Sequence, residues 1–242
     1  MDPRERFTAT VQNYARYRPD YPRAALAWLR AEAPGDSAVD LGSGTGIFAR
    51  QLAEVGFQVL GIEPNAAMRA EAERHPGAPP VQAGSAEATG LPAGSADLVV
   101  AAQAFHWFDL PLALPEIDRV LRAGGLAAAV WNTRDDEGFG HDYEALLHAW
   151  SPDYREVARP EPTLEALRAA RPEGLDRRFP HEPRLDLERE HGPASSSSYV
   201  QHGVSDREGF DRALGEIFAR HAEDGRVRLG YTTLLYAWRA PL

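Results

Sequence analysis

The chain predicts a doubly wound α/β fold, a mostly parallel sheet with helices on both faces. Short apolar runs at 37–41, 57–62, 97–102 and 126–131 alternate with segments whose apolar residues recur at helical spacing. A glycine-rich turn, 42–46, closes the first run and opens the helix after it. With 242 residues and 43% hydrophobic content, the chain can bury one sizeable core, so a single domain over 1–242 is expected.

Residues 1–21 are polar, aromatic and Arg-rich, an arm ahead of the main body. A helix follows with Ala25, Leu26 and Leu29 on one face, broken by Pro34-Gly35-Asp36. Strand 37–41 leads through the turn into a helix carrying Phe48, Leu52 and Val55, stopped by Gly56. Strand 57–62 and helix 65–75 repeat the unit. Val81 opens a short strand, 84–94 is a loop, and 97–102 is a Val-rich run too short for a helix. Helix 112–121 then turns at Gly124-Gly125 into strand 126–131. Residues 133–178 are polar and Pro-rich, helix-like in pieces and without strand signals, and are expected to form a helical insertion over the site. An edge strand is expected within 180–190, an amphipathic helix over 206–221 and a final strand over 227–238. In a sheet of this kind ligands sit beyond the carboxyl ends of the strands, where strand order reverses.

Composition narrows the function classes. Thirty-six acidic residues against 26 basic ones give a net charge of −10, which repels a phosphate backbone or an anionic membrane, so neither is expected as a partner. Every basic residue other than histidine is Arg. Without Cys, disulfides, thiolate metal sites and thiol nucleophiles are excluded. The first residues lack an apolar core of signal-peptide length and no run approaches a membrane span, so a cytoplasmic protein is expected. His141 has no second ligand at regular spacing, and no metal site is assigned. Oligomeric state is not legible.

The turn reads Val39-Asp40-Leu41-Gly42-Ser43-Gly44-Thr45-Gly46. A dinucleotide fingerprint needs its third glycine one place later, and a P-loop needs a Lys that the chain lacks, so both fail. The stretch 39–132 resembles the class I S-adenosylmethionine-dependent methyltransferases, whose first motif is matched at Val39, Asp40, Gly42, Gly44 and Gly46. The string Gln103-Ala104-Phe105-His106-Trp107-Phe108-Asp109 and the arm around Tyr14 and Arg18 resemble the methyltransferase-11 type, trans-aconitate methyltransferase-like group. The resemblance implies a Rossmann-like, doubly wound, mostly parallel seven-stranded sheet with one antiparallel strand and the helical insertion after strand five.

It also implies S-adenosylmethionine as cofactor. The turn, Ser43 included, would wrap its methionine part, with Asp40 ordering the turn and anchoring the amino group. Glu63, ending the second strand about 20 residues on with Pro64 beside it, can accept from both ribose hydroxyls. Met68 either packs near the adenine or belongs to the core. Ser85, Ala86 and Glu87 would meet the adenine edge, and Gln103 and Ala104 the methionine and sulfonium. Tyr14 and Arg18 either contact the cofactor or tether the arm. His106 is the candidate catalytic base, or else walls the pocket with Trp107. Asn132 and Arg134 leave strand five on the site side, where Arg134 can bind a carboxylate bidentately. The function expected is methyl transfer to a small molecule, with a carboxylic acid as one class that needs no base. The alternative is a non-catalytic cofactor-binding regulatory protein of the same fold. Nucleic-acid methylation is disfavoured by the charge and by the lack of an N/D-P-P-Y/F string at 103–107.

Overall fold

Each apolar run of the first half becomes a strand. A computed structural model describes residues 20–151, 154, 160–186 and 204–240. In chain order its elements are α1 (Arg23–Glu32), β1 (Ser37–Leu41), α2 (Ile47–Glu54), β2 (Gln58–Ile62), α3 (Ala66–Ala72), β3 (Val81–Gln82) and β4 (Ala96–Ala102). A 3-10 turn (Phe105–Trp107) precedes α4 (Leu110–Val120) and β5 (Leu121–Arg134). Beyond them come α5 (Gly138–Trp150), α6 (Glu161–Ala170), β6 (Leu175–His181), β7 (Arg184–Asp186), α7 (Arg207–His221), β8 (Arg226–Arg228) and β9 (Tyr231–Arg239).

The sheet has seven strands in the order β3-β2-β1-β4-β5-β9-β6. Pairings from β3 to β5 are parallel, and β9 runs antiparallel to both β5 and β6. This is the expected mostly parallel sheet with one reversed strand. Strand order reverses between β1 and β4, so their carboxyl ends form the crevice where a doubly wound sheet binds its ligand. Central strands are apolar on both faces because helices cover both. Val39, Leu41, Val99, Ala127 and Ala129 pack toward α4 and α6, while Ala38, Leu98, Val100, Ala128 and Val130 pack toward α1 and α2.

A third core lies off the sheet. Phe139, Tyr143 and Leu147 of α5 meet Phe210, Leu214 and Phe218 of α7, with Val227 and Tyr231 completing the cluster. Asp142 accepts from His221 Nε2 at 2.9 Å across the same seam.

Three expected boundaries move. The segment 133–178 is not strand-free, because β5 continues through Arg134 and β6 begins at Leu175. Within 180–190 the structure places β7, paired with β8 in a separate two-stranded sheet, and the outer strand of the main sheet, β6, lies at 175–181. Its alternation is masked because it is the sheet's outer strand, mostly exposed, and tolerates Pro180. The last strand is split. Gly230 separates β8 from β9, and a Cβ there would lie 2.6 Å from the Asp135 carboxylate. Among the described residues no helix is long and apolar enough to cross a membrane.

Candidate functional site at the ends of β1, β2, β4 and β5

The glycine-rich turn is held in a shape only glycine adopts easily. Gly42, Gly44 and Gly46 have φ of 64°, 56° and 75°. A Cβ on Gly42 would also lie 2.8 Å from the Ala104 Cβ, so the turn is pressed against the residue that follows β4. Gly42 and Ser43 donate to the Ile62 carbonyl at 2.8 and 3.2 Å, and Arg50 Nη1 donates to the Thr45 carbonyl at 2.8 Å. The hydroxyls of Ser43 and Thr45 are buried without a protein partner.

Two acids sit under and beside the turn. Asp40 is 1% exposed, and neither oxygen has a partner in hydrogen-bonding geometry. Burial, followed by repulsion from Glu63, pushes its pKa up to about 8, and only the amide of Ala49, in the first turn of α2, pulls it down. Glu63 ends β2 and staples the turn: Oε2 accepts from Gly44 N at 2.9 Å and Oε1 from Asn65 N at 2.8 Å. Burial raises its pKa as well, opposed by those two amides and by Arg69. Each carboxylate oxygen keeps a second acceptor site, so the ribose role remains open to it. Arg69 Nη1 donates to the carbonyls of Glu63 and Pro64 at 2.7 and 2.8 Å. Asn65 caps α3 by accepting from Ala67 N and Met68 N, and Met68 is buried.

The loop after β3 folds onto the end of β2. A Cβ on Gly84 would lie 2.9 Å from the Ile62 Cγ2. Ser85 and Ala88 exchange backbone hydrogen bonds, Ala86 is buried, and Glu87 Oε1 accepts from Asp109 N at 3.0 Å, ahead of α4. Glu87 therefore positions the loop against α4 in addition to any ligand contact.

Gln103 follows β4 in the left-handed region, φ 56°. Its backbone amide donates to the Val130 carbonyl and its Nε2 to the Asn132 carbonyl, both at 2.8 Å. Asn132 Oδ1 in turn accepts from Thr233 Oγ1 at 2.5 Å. His106 and Trp107 are half-buried in the 3-10 turn, their rings 4.8 Å apart.

Arg134 takes a different direction. Its Nη2 donates to Glu144 Oε2 at 3.0 Å and to the Tyr154 hydroxyl at 2.6 Å, and its guanidinium lies 5.0 Å from the Tyr143 ring centroid. The structure thus gathers Asp40, the turn, Glu63, Gln103, Ala104 and Asn132 at one sheet edge, and ties Arg134 to α5. Tyr14 and Arg18 lie outside the described residues. Arg50 and Thr233 carried no sequence signal, since each acts through a carbonyl or amide that only the fold brings near. Asn65 did carry one, a cap residue directly before a helical pattern.

Residues 39–129 match the family model described as a methyltransferase domain. The matched stretch is 91 of the 242 residues and carries most of β1, all of β2 to β4, the glycine turn and most of β5. An uncharacterized methyltransferase of Mycobacterium tuberculosis is 40% identical over 130 residues, 54% of this chain and 53% of that one. A malonyl-[acyl-carrier protein] O-methyltransferase of Serratia marcescens is 34% identical over 102 residues, 42% of this chain and 40% of that one. The chain spans about half the length of the curated relatives it matches first, 53% for those of M. tuberculosis. A solved structure of a putative type II methyltransferase from Anaeromyxobacter dehalogenans is 29% identical, covers 93% of this chain and 99% of its own, and superposes with a TM-score of 0.68.

Proposed function

We propose that the protein transfers the methyl group of S-adenosylmethionine to a small-molecule acceptor. The observation that carries the reading is the glycine turn stapled by Glu63 over a buried, unpartnered Asp40 at the strand-order reversal. These residues fit the cofactor chemically. An acid with two orphaned oxygens suits an ammonium group, the turn offers backbone close to a ligand, and Glu63 keeps acceptor capacity for a diol. When bound, the cofactor supplies an electrophilic methyl on a positively charged sulfur. The work of the chain is to fix the acceptor in line with that methyl, which converts a bimolecular encounter into a unimolecular step. Ser43, Ser85, Ala86 and Met68 would line the cofactor, and His106 and Trp107 the acceptor side.

A small acceptor rather than a nucleic acid accords with the net charge of −10. A carboxylic acid is expected from the sequence as a class that needs no base, with Arg134 as its binder; that guanidinium is engaged by Glu144 and Tyr154, so we carry forward only the small-molecule reading. The resemblance of the 103–109 string to trans-aconitate methyltransferase-like enzymes supports the motif and leaves the acceptor to experiment.

Calorimetry with S-adenosylhomocysteine is the test. Wild-type protein is expected to bind it, and Glu63→Gln to bind about tenfold or more weakly, the order of a lost charge-assisted hydrogen bond. A flat wild-type titration at millimolar ligand would overturn the proposal. Production of S-adenosylhomocysteine across a metabolite panel then tests turnover.

A further inference from the structure

We propose that the methyl acceptor offers a neutral hydroxyl to a pair of fixed amides at the ends of β4 and β5. This deepens the methyl-transfer reading and rests on it. Gln103 Nε2 is committed to the Asn132 carbonyl at 2.8 Å, which leaves Oε1 as a fixed acceptor. Asn132 Oδ1 is committed to the hydroxyl of Thr233, a residue 0% exposed, which leaves Nδ2 as a fixed donor. Among the described residues neither remaining atom makes a hydrogen bond, and neither is a buried orphan. Two neighbouring strand ends therefore display one acceptor and one donor, with no net charge.

That pair discriminates by chemistry. A carboxylate accepts from Nδ2 but turns its lone pairs on Oε1, and an ammonium reverses the mismatch. A hydroxyl satisfies both, donating to Oε1 while accepting from Nδ2. The strain at Gln103 points the same way. A non-glycine residue held at φ 56° costs on the order of 1–3 kcal/mol and persists only where its surroundings impose it. Here the two bonds to β5 impose it, and what they fix is the direction of the amide. Ala104, the next residue, abuts Gly42, which sets the pair beside the cofactor turn. In the transfer a lone pair on the hydroxyl oxygen forms the O–CH3 bond while the S–CH3 pair stays on sulfur, leaving a thioether. The hydroxyl proton, held toward Gln103 Oε1 until the O–CH3 bond forms, then leaves to water.

The test uses the full chain, 15N-labelled and saturated with S-adenosylhomocysteine, with the side-chain amide signals of Gln103 and Asn132 followed by NMR. Benzyl alcohol and 1-butanol are titrated against their matched acids, benzoate and butyrate. The alcohols are expected to move both amides and to bind about tenfold more tightly than the acids. Thr233→Val, which frees the Asn132 amide to flip, is expected to weaken alcohol binding several-fold. Acids binding at these amides as tightly as alcohols, or no probe reaching them, overturns the acceptor class alone. A separate calorimetric titration in which S-adenosylhomocysteine does not bind overturns the cofactor reading and this proposal with it.

Discussion

Asp40 gives the clearest single-residue consequence. Its folded pKa of about 8 lies above the unfolded value of 3.8, so the folded state holds a proton that the unfolded chain releases across that window. The stability of the ligand-free protein therefore falls as pH climbs from about 4 toward 8. Asp40→Asn, which mimics the protonated acid, is expected to flatten that slope and raise the melting temperature at pH 8 by roughly 3–6 °C. A variant whose melting curve tracks wild type at pH 5 and pH 8 alike would show that Asp40 is ionised in the fold. Gly42→Ala places a methyl 2.8 Å from the Ala104 Cβ at a φ of 64°. We expect a loss of roughly 1–3 kcal/mol and a weaker S-adenosylhomocysteine titration. Both residues were legible from sequence because their roles are local. Glycines at spacing two make a turn, and an acid before the first one lies under it. Thr233 was not, because it reaches Asn132 across 101 residues of chain.

Among the elements, α3 and α5 separate ordinary capping from site architecture. Asn65→Ala removes two acceptor bonds at the start of α3 and is expected to cost about 1 kcal/mol, or 2–4 °C in the melting temperature. Arg134→Met leaves Glu144 and Tyr154 without their cation at the end of β5. Hydrogen exchange in α5 should rise in that variant while β1 and β4 stay protected. Unchanged protection in α5 would mean that the apolar seam with α7 holds it unaided. The first-half elements were legible because apolar runs and helical spacing alternate without interruption. β6 was not, since an outer strand that exposes most of its residues shows little alternation, and Pro180 reads as a break.

At the scale of the molecule, the two cores on the faces of the sheet differ in character from the third, which lies off it. Strands β1, β4 and β5 are enclosed on both faces, whereas α5 and α7 close mainly on each other. Native-state exchange is expected to show the α5–α7 unit opening at lower free energy than the central strands. A single cooperative opening for all amides would contradict that division. The β5–β9 ladder adds a further consequence. It pairs Arg134 with Tyr231 and is prolonged by Asp135 N donating to the Gly230 carbonyl at 2.9 Å. The Asp135–Gly230 bond thus ties off a span of 94 residues in which β6 rejoins the sheet beside β9 while α5 and α7 pack on each other. Lengthening a flexible loop within that span costs little, about 0.6 kcal/mol for each doubling. The family match ends at residue 129, just before that bond. Loops inside the span can therefore grow at small cost without disturbing the glycine turn at 42–46, which lies within the matched stretch.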